Sequence, residues 1–238
     1  PMNLELPLSH GRGSYSVTPS KIIALGLNYH AHIQESLSVK VRGFDPEVPP
    51  EPVLFNKLSS SLLGPEEEIV LPAIVDTYEF DEPRTDHEAE LAVIIGLGGK
   101  NIPEDRAFEH IYGYTCANDV SQRNIQNGDR SGWFRGKSFD TFCPVGPVVV
   151  PTSELPNVQN LQVTCRVNGE VRQEGRTSQM IFTLPKIIAF ISRNFTLQEG
   201  DLILTGTPSG VAPLKDGDLV EVEIEGIGTL RNPVRKEE

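Results

Sequence analysis

The sequence predicts a mixed, mainly β fold with short flanking helices, and three observations predict it. Short β-branched apolar segments recur along the 238 residues, each closed by glycine, proline or a polar loop. Asn168-Gly169, set between two such segments, is a strong hairpin signal. One sustained helical pattern is expected from a cap at Thr183 to about Asn194, with Ile187, Ile188, Phe190 and Ile191 on a buried side and Pro185 in its first turn.

Taken in order, residues 1–20 are expected to form a short N-terminal extension and residues 21–238 a single domain. Lys21 to Leu25 reads as a strand that stops at Gly26, so Asn28-Tyr29-His30-Ala31-His32 falls in a loop or at a helix start. From Ser36 to Pro52 the chain turns polar and carries Gly43, Pro46, Pro49, Pro50 and Pro52, which predicts a loop able to act as a lid. Val53-Leu54-Phe55 is a strand, Leu63 to Pro72 a turn leading into another, and Asp76 to Asp86 a second polar loop. Glu88 to Gly96 reads as a strand, and Tyr112 to Ala117 as one that delivers Asn118-Asp119 at its end. In the polar segment Val120 to Arg130, helix would place Arg123 and Gln126 on one face. Val148 to Val150, Leu161 to Val167, Leu202 to Leu204, Leu219 to Ile224 and Gly228 to Leu230 complete the strands.

Composition removes several function classes. The formal net charge of −12 leaves no basic surplus to displace counterions from phosphates, so nucleic acid is not an expected partner. The longest apolar runs fall far short of the roughly 20 residues that cross a bilayer, so no membrane partner is expected. Cys116, Cys143 and Cys165 form no CxxC pair, which argues against a disulfide framework or zinc ribbon and for a reducing, cytoplasmic location.

The chemistry concentrates in a few places. Residues two apart on a strand share a face, so Glu88 and Glu90 project side by side and repel unless a cation sits between them. Asp119 offers a third carboxylate, and three such oxygens suit Mg²⁺ or Mn²⁺ better than zinc. His87 points to the opposite face and is not expected to be a ligand. Gly136-Lys137-Ser138 is not a P-loop, because Ser131 stands where its first glycine is required. Lys137 instead reads as a lone cation among aromatics, suited to a substrate carboxylate or carbonyl. The Thr205 to Gly210 turn could present N–H groups and the Thr207 hydroxyl to an anion.

In this order, Gly26-x-Asn28-Tyr29-x-x-His32, Glu88-x-Glu90, Asp119, Lys137-Ser138-Phe139-Asp140 and Gly206-Thr207-Pro208-x-Gly210 resemble the fumarylacetoacetate hydrolase family from about Lys21 to Val234. His32-Ile33-Gln34-Glu35, Gln126 and Lys137 resemble its acylpyruvate hydrolase and oxaloacetate decarboxylase branch. Lys57 falls where that family has a Lys-Pro pair, with Leu58 in place of proline.

The resemblance implies a β-roll of mixed sheets, a homodimer, and Mg²⁺ or Mn²⁺ held by Glu88, Glu90 and Asp119. It implies a small oxo-acid substrate, with His32, Glu35, Lys137 and Gln126 as catalytic residues. Asn28, Tyr29, Lys57, Arg123, Gly206 and Thr207 are the expected substrate contacts. The leading expectation is hydrolysis of a 2,4-dioxo acid of the acylpyruvate or fumarylpyruvate type, in which His32, oriented by Glu35, activates water and pyruvate leaves as its metal-held enolate. Oxaloacetate decarboxylation and 2-hydroxyhepta-2,4-diene-1,7-dioate isomerisation reach the same enolate. A catalytically silent protein that binds metal and oxo acid is the alternative from another class.

Overall fold

The β-branched segments pair as the sequence predicts, and the computed structural model describes residues 4–35 and 48–238. The first half contains β1 (Leu4–Pro7), β2 (Ser14–Val17), β3 (Ile22–Gly26), β4 (Val53–Lys57), β5 (Leu62–Leu63), β6 (Ile69–Leu71), β7 (Thr85–Asp86) and β8 (Ala89–Ile95). The second contains β9 (Ile111–Asn118), β10 (Ser121–Gln122), β11 (Cys143–Pro151), β12 (Gln162–Val167), β13 (Glu170–Arg176), β14 (Leu202–Leu204), β15 (Leu219–Ile224) and β16 (Gly228–Lys236). Helices α1 (His30–Glu35), α2 (Arg123–Gly128), α3 (Phe134–Lys137) and α4 (Leu184–Asn194) lie in the connections.

Two mixed sheets carry the structure, one ordered β4-β3-β14-β8-β9-β11-β5 and the other β13-β12-β15-β16-β6. Strand β8 is central to the first and buried along its whole length. Leu91, Val93 and Ile95 enter the large core shared with Val163, Cys165 and Val222 of the second sheet. Ala92 and Ile94 face a smaller core with Leu6 and Val17 of the β1–β2 hairpin. Cover on both faces explains why this strand reads as a continuous apolar run rather than an alternating one.

Strand directions bring chemistry to one end of this sheet. Strand β3 runs parallel to β14, β8 antiparallel to β14, and β9 antiparallel to β8. The ends of β3, β14 and β9 therefore meet the start of β8, where loops carrying polar groups converge.

The helix at Thr183 forms as expected, with Ile187, Ile188 and Ile191 buried, although Thr183 makes no side-chain cap bond. Phe190 is only partly buried. The Asn168-Gly169 hairpin joins β12 to β13, both residues having positive φ (52° and 83°) as a two-residue turn of this kind requires. Most of the proline-bearing segment expected to act as a loop or lid lies outside the described residues. Among the described residues no helix is long and apolar enough to cross a membrane.

Candidate active site

Alternation along β8 carries the face of Ala92 and Ile94 back to Glu90 and Glu88. The Asp119 N–H donates to the Glu88 carbonyl at 2.9 Å, which sets the third carboxylate beside the first two. Glu88, Glu90 and Asp119 are all buried, and one oxygen of each lies within 4.8 Å of the others.

Two of the three carboxylates are already paired. Lys137 Nζ lies 2.7 Å from Glu88 Oε2 and 2.8 Å from Asp119 Oδ2, and Lys57 Nζ lies 2.6 Å from Asp119 Oδ1. Arg123 Nη2 reaches Glu88 Oε1 at 2.6 Å, while its Nε holds Asp86 at 2.8 Å. Burial opposes ionisation of Glu88 most strongly, yet the charges of Lys137 and Arg123 hold its carboxyl far below the ordinary range.

Glu90 differs. Its Oε2 accepts from Gly206 N–H at 2.7 Å, and Oε1, also buried, has no partner among the described residues. Burial, followed by the charges of Asp119 and Glu88, pushes its pKa well above the usual carboxylate value. An orphaned buried acceptor between two carboxylates fits a divalent cation, and the all-oxygen donor set fits Mg²⁺ or Mn²⁺.

The remaining expected residues divide by position. His32, Arg123, Gln126, Lys137 and Thr207 line one cleft. His32 Nδ1 lies 3.1 Å from Glu35 Oε1, and both Glu35 oxygens accept from Gly210 N–H, at 2.8 and 3.0 Å. Partial burial works against the Glu35 carboxylate, but the His32 and Gly210 hydrogen bonds outweigh it and lower its pKa. Arg123 Nη1 donates to Gln126 Oε1 at 3.0 Å, as their shared helical face predicts.

Asn28, Tyr29, Lys57 and Gly206 are buried and stand outside the lining of this cleft. Fully buried Asn28 bonds the carbonyls of Phe182 and Thr205 and accepts from Phe182 N–H, so it ties three segments together. Tyr29 is buried near Glu90 with its hydroxyl unpartnered among the described residues, and burial followed by the Glu90 charge raises its pKa. Besides Asp119, the Lys57 ammonium donates to the carbonyls of Lys137 and Val120. Such a group neutralises a buried carboxylate. Gly206, at φ 99°, packs against Asn28 so closely that a Cβ there would lie 2.7 Å from Asn28 Cβ.

Sequence reasoning missed Gln173, Asp86 and Trp133. Gln173 Oε1 accepts from Ala89 N–H at 3.0 Å, and its Nε2 donates to Thr207 Oγ1 and Pro208 O, each at 2.8 Å. Thr207 Oγ1 donates its own proton to Ala89 O, 2.8 Å away. His87, on the side away from the carboxylates as expected, has Nδ1 2.9 Å from the same Gln173 oxygen and so must carry its proton there. Asp86 bridges Arg123 and Arg84, the latter at 2.7 Å. The Trp133 ring walls the cleft on its apolar side.

Comparison with known proteins agrees with this geometry. The profile of the fumarylacetoacetate (FAA) hydrolase C-terminal family matches residues 21–235. An uncharacterised protein of Pyrococcus abyssi is 46% identical over 229 residues, 95% of each chain. A mitochondrial oxaloacetate tautomerase of Xenopus laevis is 43% identical over 91% of this chain and 66% of its own length. Among solved structures, a 5-carboxymethyl-2-hydroxymuconate delta-isomerase from Mycobacterium smegmatis superposes with TM-score 0.80 at 41% identity, over 94% of this chain and 81% of the other. A fumarylpyruvate hydrolase from Pseudomonas aeruginosa, in complex with Mn²⁺ and pyruvate, superposes with TM-score 0.85 at 31% identity, over 100% of this chain and 98% of the other. By its motifs, its sheets and these matches, the chain belongs to the fumarylacetoacetate hydrolase family.

Proposed function

We propose that the protein is a divalent-metal-dependent enzyme acting on a small 2-oxo acid, and that its central step is proton transfer at the carbon beside the oxo group. The observation that carries this reading is the His32–Glu35 pair on the wall of the cleft that Glu88 also lines. Glu88, Glu90 and Asp119 would hold a divalent cation, which would supply Lewis acidity to a bound 2-oxo acid.

The protein's own groups do the rest. Glu35 stays ionised and takes the Nδ1 proton of His32 in a hydrogen bond, which leaves Nε2 as a base. The Gly210 N–H fixes Glu35, and through it the imidazole. His32 takes a proton from C3 and returns it to the oxo oxygen, or the reverse, interconverting keto and enol forms. Lys137 and Gln126 stand at the cleft to stabilise negative charge on that oxygen.

The identities to a tautomerase and an isomerase support proton transfer as the whole reaction. Hydrolysis of a 2,4-dioxo acid is the second reading, supported by the full-length likeness to a fumarylpyruvate hydrolase. In that reaction His32 would activate water, which attacks the 4-oxo carbon and releases pyruvate.

One set of assays tests both. Loss of the oxaloacetate enol absorbance and release of pyruvate from acetylpyruvate and fumarylpyruvate are followed with Mg²⁺, with Mn²⁺ and with excess EDTA. Tautomerisation that EDTA abolishes and His32→Gln lowers about 100-fold or more supports the first reading. Pyruvate release with the same dependence selects the second. Binding of metal and oxalate without turnover of any of these acids would overturn both.

A further inference from the structure

One aromatic ring lines the cleft. Trp133 is the only tryptophan in the chain, and it lines the cleft together with Leu25, Gly26, Leu27, Glu88, Arg123 and Lys137. Its ring is wedged in place. Phe55 meets it edge-on at 5.4 Å between centroids, with a 70° angle between planes. Leu27, Ile33 and Ile181 pack with it in a small apolar cluster. On the β3 side the indole lies against bare backbone, so that a Cβ on Gly26 would stand 2.8 Å from Cη2 and closer still to Cζ3.

Trp133 and Lys137 are also joined. The Lys137 N–H donates to the Trp133 carbonyl at 3.2 Å, and Lys137 Nζ sits 4.8 Å from the centre of the Phe55 ring against which the indole packs. A ligand that reaches Lys137 in this cleft therefore also comes close to the indole.

We propose that Trp133 is the specificity-determining residue of this cleft, its ring closing the tail side so that short 2-oxo acids such as pyruvate and oxaloacetate fit and those with branched or aryl tails do not. The proposal rests on the oxo-acid reading above. The indole supplies flat apolar contact to a short tail and occupies the volume a longer one needs. Because Gly26 gives the ring its seat, Gly26→Ala must move the ring without removing it.

The test pairs binding with turnover so that the two readings fail separately. In the wild-type protein with Mg²⁺, oxalate and pyruvate should change the intrinsic fluorescence of Trp133 saturably, and phenylpyruvate should do so only at concentrations about tenfold or more higher. Calorimetric titration of Trp133→Leu, and of Trp133→Phe as a milder variant, should show that discrimination falling toward unity. Gly26→Ala should change the same ratio with the tryptophan still present.

Fluorescence discrimination by tail size without turnover of any oxo acid would overturn the reaction and leave the specificity wall standing. Turnover with an unchanged preference in folded Trp133→Leu, or a fluorescence signal indifferent to pyruvate and oxalate, would overturn the wall and leave the reaction. Should both Trp133 variants fail to fold, an unchanged preference in Gly26→Ala would overturn it.

Discussion

Gln173 Nε2 donates to Thr207 Oγ1 at 2.8 Å, and so the edge strand of one sheet fixes a cleft residue carried on a loop of the other. The amide cannot be turned over, since a backbone N–H meets its oxygen and a backbone carbonyl its nitrogen. Gln173→Leu leaves those buried groups unsatisfied and should lower stability by about 1–3 kcal/mol. Urea denaturation measures it, and a variant as stable as the parent would mean that water enters and replaces the amide.

Glu90 gives the pH prediction. Its folded pKa is raised, so the stability it contributes is full below the ordinary carboxylate pKa and is lost as pH rises through the raised value. In EDTA, Glu90→Gln should therefore melt higher than the parent, by a margin that grows with pH. Added Mn²⁺ should raise the parent's melting temperature and barely move the variant's. Equal gains from Mn²⁺ in both proteins would remove Glu90 from the ligand set.

Lys57 and Asp119 form an ion pair whose side chains are both fully shielded. Removing one partner of such a pair leaves a buried charge, at a cost of about 3–5 kcal/mol. Since Lys137 still reaches Asp119, Lys57→Met should fall at the low end of that range. A loss below about 1 kcal/mol in a chemical denaturation curve would show that the pair is dispensable.

Gly210 combines φ of 99° with a position where a Cβ would overlap the Arg172 carbonyl oxygen. Gly210→Ala should displace the loop that anchors Glu35, giving an insoluble or strongly destabilised protein. Full solubility and an unchanged melting temperature would show that the loop relaxes freely.

How much of this was legible in the chain depended on how local each signal is. Glu88 and Glu90 were readable because period two along a strand needs no partner to be recognised, and Asp119 because it follows a strand end. Residues before Lys21 gave no pattern strong enough to reveal a hairpin whose Leu6 and Val17 are buried.

Gln173 was hidden by a bulge. Between Cys165 and Arg166 the register on β13 skips Arg172, so Val171 turns outward and Gln173 inward, against simple alternation. Lys57 could be placed near the site by resemblance, but its pairing with Asp119 depends on how the edge of a curved sheet comes round. Lys137, expected among aromatics, is found over Phe55, while the two carboxylates it bridges flank the start of β8 and the end of β9.

Strand β8 carries Glu90 near its start, with Glu88 immediately before it, and is enclosed by core on both sides. Its amides should be among the slowest in the molecule to exchange with deuterated solvent, opening only when the whole chain unfolds. The carboxylates thus inherit the rigidity of the folding core, and motions that admit substrate must arise in the loops around them. Mutations that loosen β8 would then blunt activity and shorten the protein's lifetime together, whereas changes to the loops could alter turnover without that penalty.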